Sequence, residues 1–280
     1  SQFLLAPITR CIKREICNTQ QTCGSGEITR NTKRDIFASA ARAKTAPTLL
    51  TSGTQTKHTA RTLSVICMKR KIVSFIFPLT RKIKSEYNGY LELTTFNGRT
   101  LLNTENTNYS YGALQRVLKF GLLNTDLSKT KNILVLGLGG GCVLKTLRNE
   151  FNYANRITAV DIDPVIIEIA KNEFGISEDD KTKIICDDAF DYVMNDNSMF
   201  DLIIIDLFID NKIPDKFLLL EFWRGIINKL CLGGTIIFNT LCDPYTETKD
   251  IENKLMKRGL KYRIYRHVEG TNKILIANYC

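Results

Sequence analysis

Histidine is almost missing from this chain: its 280 residues hold two, His58 and His267. Zinc sites built on imidazole, and triads of serine, histidine and aspartate, have too little to work with. No C-x-x-C pair occurs among the nine cysteines, so the sequence lacks a zinc-ribbon or dithiol redox signature and no metal site is expected. Cys142, Cys186 and Cys231 sit in or beside apolar runs, where a free thiol behaves as a small hydrophobe. Reduced thiols fit a cytoplasmic location. Long apolar runs are lacking too, with nothing near the roughly 18 residues a membrane span needs. The segment 72–79 (IVSFIFPL) is interrupted by Pro78, bounded by Lys71 and Arg81, and lacks a small-residue cleavage site. It reads as a packing or surface-docking segment, and no membrane partner is expected.

Acids are scarce at the start. Residues 1–84 contain 16 Lys or Arg against 3 Asp or Glu, whereas 85–280 contain 23 against 26. The overall net charge of +10 therefore belongs to the leader, and the remainder is slightly acidic. A nucleic-acid-binding fold carries its basic stripe on itself, so no nucleic-acid partner is expected. Residues 1–67 are rich in threonine, carry Cys11, Cys17 and Cys23, and show no sustained period of 2 or 3.6. Three readings fit: a disordered basic tail, an organelle transit peptide, or sequence upstream of a start at Met68. The last is favoured because everything patterned follows Met68. The expected organisation is a disordered leader at 1–67 that need not be native, a β-hairpin and helix region at 68–125, and an α/β domain at 126–280.

What the chain does have is a glycine turn between an apolar run and an amphipathic one. Asn132-Ile-Leu-Val-Leu leads into Gly137-Leu-Gly-Gly-Gly141, then a helical pattern over 143–151, then Ile157-Thr-Ala-Val-Asp161. Strand, turn, helix, strand and acid in this order mark the nucleotide-binding half of a doubly wound sheet. Glycines let the backbone approach a ligand, and the helix start aims free N–H groups at the same spot. Asp161 lies 22 positions after Gly139, close to the spacing of about 20 at which a carboxylate meets ribose hydroxyls.

The α/β pattern continues, with strands expected at 133–137, 157–161, 183–186, 200–206 and 235–239, and a closing pair at 262–267 and 273–278. Helices are expected at 109–123, 143–151, after Pro164, at 217–229 and at 247–257, with Gly233-Gly234 breaking the chain before the fifth strand. Asn97-Gly98 between two β-prone runs marks a hairpin. The near-continuous apolar strands imply a sheet covered on both faces, and the closing pair fits an antiparallel hairpin at its edge. The fold class is α/β, a Rossmann-like, doubly wound, seven-stranded sheet with a small N-terminal β-hairpin region.

Ligands of such sheets bind outside the carboxyl ends of the strands, so the acids there are the candidates. Asp161 is placed to bind ribose. Asp163, just before Pro164, caps a helix or joins the site. Of Asp187 and Asp188, ahead of Ala189, one either meets the exocyclic amine of adenine or caps a helix. Asp206 ends the fourth strand beside the glycine turn, where a carboxylate can draw a cation or take a proton. Asp210 and Asp215 read as loop acids facing water.

Together these residues resemble the class I S-adenosylmethionine-dependent methyltransferase fold and, within it, the spermidine-synthase-like group, over about 86–278. ITAVDIDPVIIEIA is similar to the group's second-strand motif, IICDDAFDYV to its GDAF motif, FDLIIIDLF to the strand carrying its key aspartate, and CLGGTIIF to its L-x-P-G-G step. The resemblance implies S-adenosylmethionine or its decarboxylated form as cofactor, held by Gly137, Gly139, Gly141, Asp161, Ile162, Asp188 and Ala189, with Asp206 beside the sulfonium and the acceptor. It also allows a homodimer through the N-terminal β region. Three departures stand out: Gly140 where aminopropyltransferases carry aspartate, Gly112-Ala113 after Tyr111 where they carry histidine and glutamate, and Leu-Phe-Ile between Asp206 and Asp210 in place of their D-S-S-D-P loop. Cationic polyamines need fixed carboxylates. Methyl transfer to a small-molecule acceptor is therefore the first reading, polyamine aminopropyl transfer the second and a non-catalytic nucleoside-binding protein the third. An NAD-dependent oxidoreductase is the weakest, since its fingerprint wants glycine at Cys142.

Overall fold

The computed structural model describes residues 73–104, 108–110, 112–242 and 248–279. The leader at 1–67, with Cys11, Cys17, Cys23 and His58, lies outside the described residues, as do Met68 and Tyr111.

The N-terminal hairpin is the middle of a four-stranded antiparallel sheet: β1 (Leu79–Lys84), β2 (Tyr90–Phe96), β3 (Arg99–Asn103) and β4 (Asn108–Ser110), in that order. β1 was not expected, because Arg81, Lys82 and Lys84 hide an alternation in which every second side chain is exposed. Such charge on an edge strand blocks pairing with another chain. Gly112, at φ 69°, breaks the helix expected from residue 109, so α1 spans Ala113–Leu123.

The large sheet has the order β10-β11-β9-β8-β5-β6-β7. Its parallel strands are β5 (Asn132–Leu136), β6 (Arg156–Asp161), β7 (Thr182–Cys186), β8 (Phe200–Ile205) and β9 (Leu230–Leu241). β10 (Leu260–Val268) and β11 (Asn272–Tyr279) form the expected antiparallel hairpin, with β11 lodged between β9 and the edge strand β10. Gly233 and Gly234 do not stop β9. Gly233 adopts φ 79° inside it, and the pairing with β8 shifts register there.

Period-two alternation splits the strands between two cores. Ile133, Val135, Leu202, Ile204 and Ile237 face α1, α2 (Cys142–Asn149) and α3 (Pro164–Asn172). Leu134, Leu136, Ile203, Ile205 and Phe238 face α4 (Ala189–Asn195), α5 (Leu220–Lys229) and α6 (Lys249–Lys257). α1 lies so close to β9 that a Cβ on Gly121 would come within 2.8 Å of Ile237. Leu91, Leu93 and Leu102 of the small sheet join the first core. The helix expected at 217–229 is divided into a 3₁₀ turn, Asp215–Phe217, and α5. Trp223 in α5 is fully buried, stacks edge-on to Phe222 and Phe238, and donates its indole N–H to the Phe217 carbonyl at 3.0 Å. That bond fixes the turn over the strand ends.

No helix among the described residues is long and apolar enough to cross a membrane.

Candidate functional site

The strand order reverses between β5 and β8, and the carboxyl ends there open a cavity of about 440 Å³. Ligands of open α/β sheets bind at such a reversal, in clefts of about 300–1,000 Å³. Gly137, Gly139, Asp161, Ile162, Asp188, Ala189 and Asp206 all line it. Gly141 does not, because its missing side chain serves packing instead. At φ 75° it opens α2, and a Cβ would strike the Ile176 side chain at 2.4 Å. Gly137 is constrained more severely: at φ 92° its Cβ would fall 2.1 Å from the Asp206 carbonyl oxygen, so only glycine lets β5 pass β8 there.

Asp161 holds the glycine turn. Its Oδ2 accepts the N–H groups of Leu138 (2.9 Å) and Gly139 (3.1 Å), and its Oδ1 accepts that of Asp163 (3.0 Å). Burial pushes its carboxyl up to about 6, with the nearby Asp163 adding to the rise, against the pull of the three N–H donors. These turn amides thus face the protein's own acid. Asp163 is fully buried and caps α3, accepting from the Val165 N–H at 2.9 Å. Its other oxygen accepts from the Ser85 hydroxyl and from Asn88 Nδ2 (3.2 Å), tying the small sheet to the turn after β6.

Asp188 caps α4 through the Phe190 N–H at 2.8 Å, and its second oxygen pairs with the Lys216 ammonium. Lys216 also lies 5.0 Å from the Phe217 ring centroid. At the other end, Asp206 Oδ1 accepts Asn239 Nδ2 at 2.8 Å, and Asn239 Oδ1 accepts Asn272 Nδ2 at 2.9 Å. Burial pushes the Asp206 carboxyl up to about 6; the Asn239 donor opposes this and the Asp161 charge adds to it. Asp210 is not a water-facing acid as expected. It lines the cavity and accepts from the Thr104 hydroxyl at 2.6 Å, while Asp215 is exposed.

Asn88, Lys216, Asn239 and Asn272 escaped the reading of the sequence. Asn239, a polar residue ending the apolar strand TIIFN, could have been found by the strand-end rule. Asn272 could not, since it reaches the cavity only because β11 runs antiparallel beside β9. Among the described residues no group of three or more His, Cys, Asp or Glu side chains could hold a metal ion.

Residues 117–264 match the Spermine/spermidine synthase domain. The chain is 31% identical over 169 residues to the eEF1A lysine and N-terminal methyltransferase of Mus musculus, covering 56% of this chain and 23% of that protein. The Drosophila melanogaster homolog is 30% identical over 161 residues, 54% of this chain and 23% of that one. The polyamine aminopropyltransferase of Sulfolobus acidocaldarius is 32% identical over 121 residues, 40% of this chain and 39% of that one. The chain therefore spans well under half the length of these relatives. Among solved structures, human Methyltransferase-like protein 13 in complex with SAH superposes with a TM-score of 0.52 at 24% identity, over 61% of this chain and 83% of that one, which shows a shared fold.

Proposed function

The chain belongs to the spermine/spermidine synthase domain family, and from that membership and the chemistry of the cavity we propose that it is an S-adenosylmethionine-dependent methyltransferase acting on an amine. The observation that carries this reading is the convergence of Asp161, Asp188 and Asp206 on one cavity beside Gly137. Asp161 keeps an acceptor site for a ribose hydroxyl beyond those it gives the N–H groups of Leu138, Gly139 and Asp163. Asp188 offers an acceptor, and the Ala189 N–H at the start of α4 a neighbouring donor, which suits the edge of an adenine. Ile162, Val160 and Phe217 supply apolar wall for its ring. S-adenosylmethionine, when bound, supplies an electrophilic methyl carbon on a sulfonium.

Two observations favour the carboxylated cofactor and an amine acceptor. Ala113 and Leu114, at the start of α1, line the cavity without a side-chain cap or an acid in their turn, and such a helix start favours an anionic group. Asp206 and Asp210 line the cavity with Asn239 and Asn272, so this part of the wall attracts a cation. Asp206, titrating near 6, is matched to take a proton from an amine. The relatives named for eEF1A lysine and N-terminal methylation extend the proposal to a protein amine, in place of the small molecule first expected. Of the two, an α-amine, titrating at about 8, gives its proton to such a carboxylate more readily than a lysine at about 10.4.

A second reading, aminopropyl transfer, gains from Asp210, which restores a second carboxylate to the cavity wall. It is less supported, because the decarboxylated cofactor has no use for the α1 start. The discriminating experiment supplies methyl-labelled S-adenosylmethionine with eEF1A and, separately, decarboxylated S-adenosylmethionine with putrescine. Label on eEF1A supports the proposal, and spermidine formation without protein label replaces it with the second reading.

A further inference from the structure

We infer that Asn239 and Asn272 form a relay that fixes the orientation of Asp206 and leaves its Oδ2 as the oxygen that takes the acceptor's proton. The inference rests on the proposed role of Asp206 as a proton acceptor.

An ionised carboxylate only accepts, so Asn239 must turn its amide nitrogen toward Asp206 Oδ1. Its own oxygen then faces the other way, where Asn272 Nδ2 meets it. Were Asn239 flipped, oxygen would face carboxylate and nitrogen would face nitrogen, two repulsive contacts in place of two bonds. Asn239 has no exposed surface and cannot turn to water for compensation. Asn272 thus dictates the sense of Asn239, and Asn239 that of Asp206.

Topology delivers this arrangement. Asn239 is in register with Ile274 and Asn272 with Leu241, so both amides reach the edge where β8 ends. The adjacent Thr240 hydroxyl donates to the Lys273 carbonyl at 3.1 Å, which holds the two strands at this point. Among the described residues no donor meets Asp206 Oδ2. When the acceptor yields its proton, the N–H bond breaks and an O–H bond forms on Oδ2, while Oδ1 keeps its bond to Asn239. Charges facing the carboxylate come from Asp161 on β6, Asp210 on the loop after β8, and the Lys216–Asp188 pair across the cavity. β9 and β11 contribute neutral amides only.

Carbon-detected NMR titration of the Asp206 carboxyl in the full chain tests the relay, with the signal assigned by its loss in Asp206→Asn. In Asn239→Ala the midpoint should move up by about one pH unit, the usual weight of a hydrogen bond to a charged group. Asn272→Ala should move it in the same direction by a smaller amount, although Asn272 does not touch Asp206. Asn272→Ser, which keeps a donor, should restore part of the wild-type midpoint. An unmoved midpoint in Asn272→Ala, with the fold intact by amide NMR, overturns the relay. The titration needs no acceptor, so absence of eEF1A labelling by the wild type would defeat the proposed function and still leave the relay decided.

Discussion

Asp206 and Asp161 are ordinary carboxylates made unusual by position, and their consequences run in opposite directions. Asp206→Asn removes the proton acceptor but keeps an isosteric side chain. Its turnover should fall by about 10²–10⁴-fold, the usual worth of a general base, while cofactor affinity measured by calorimetry changes little. Activity of the wild type should decline as pH falls through about 6, where both carboxyls take up protons. Stability of the ligand-free protein should move the other way. Both groups hold protons more tightly folded than unfolded, so between pH 7 and 5 each adds to the free energy of unfolding as pH drops. A melting temperature that rises from pH 7 to 5 as turnover falls would bear this out, and parallel declines would count against it. Glycine substitutions should separate two kinds of constraint. Gly137→Ala sets a Cβ against a backbone oxygen that cannot yield and should cost about 2–4 kcal/mol in denaturant unfolding. Gly141→Ala meets side chain rather than backbone, but Ile176 is buried and β-branched, so the clash and the positive φ together should cost about 1–3 kcal/mol.

Elements were legible where a single period dominated. β5, β6 and β8 are nearly continuous apolar runs, and Asp161 at the end of β6 and Asp206 just after β8 line the cavity. The glycine turn and Asp161 were readable because their spacing is local. What could not be read depends on partners far along the chain. β1 conceals its pattern under edge charges, Asn272 is brought in by an antiparallel insertion, and Asp210 is turned inward by Thr104, 106 positions earlier. Gly141 was read as a ligand contact because the sequence does not show Ile176 packed against it. The 3₁₀ turn at Asp215–Phe217 belongs to the same class, since its support comes from Trp223. Trp223→Phe keeps an aromatic ring but removes the indole donor and leaves a cavity in the core. It should lower stability by about 2–4 kcal/mol and weaken cofactor binding by loosening Lys216 and Phe217, both readable by calorimetry.

In the molecule as a whole, the small sheet packs Leu91, Leu93 and Leu102 into the first core and reaches the site through polar contacts. Ser85 and Asn88 grip Asp163, Asp163 donates its N–H to Asp161, and Asp161 holds the glycine turn. Arg81 and Glu173 pair across the same junction, but both are partly exposed and contribute little. Ser85→Ala should therefore raise the Michaelis constant for the cofactor several-fold with little change in kcat. Calorimetry decides whether this cavity receives S-adenosylmethionine with its carboxylate. The protein would be titrated with S-adenosylmethionine and with its decarboxylated form, alongside Asp161→Ala as control. The carboxylated ligand should bind more tightly, with a loss of at least about tenfold in the variant. Preference for the decarboxylated ligand, or no heat from either, would contradict it.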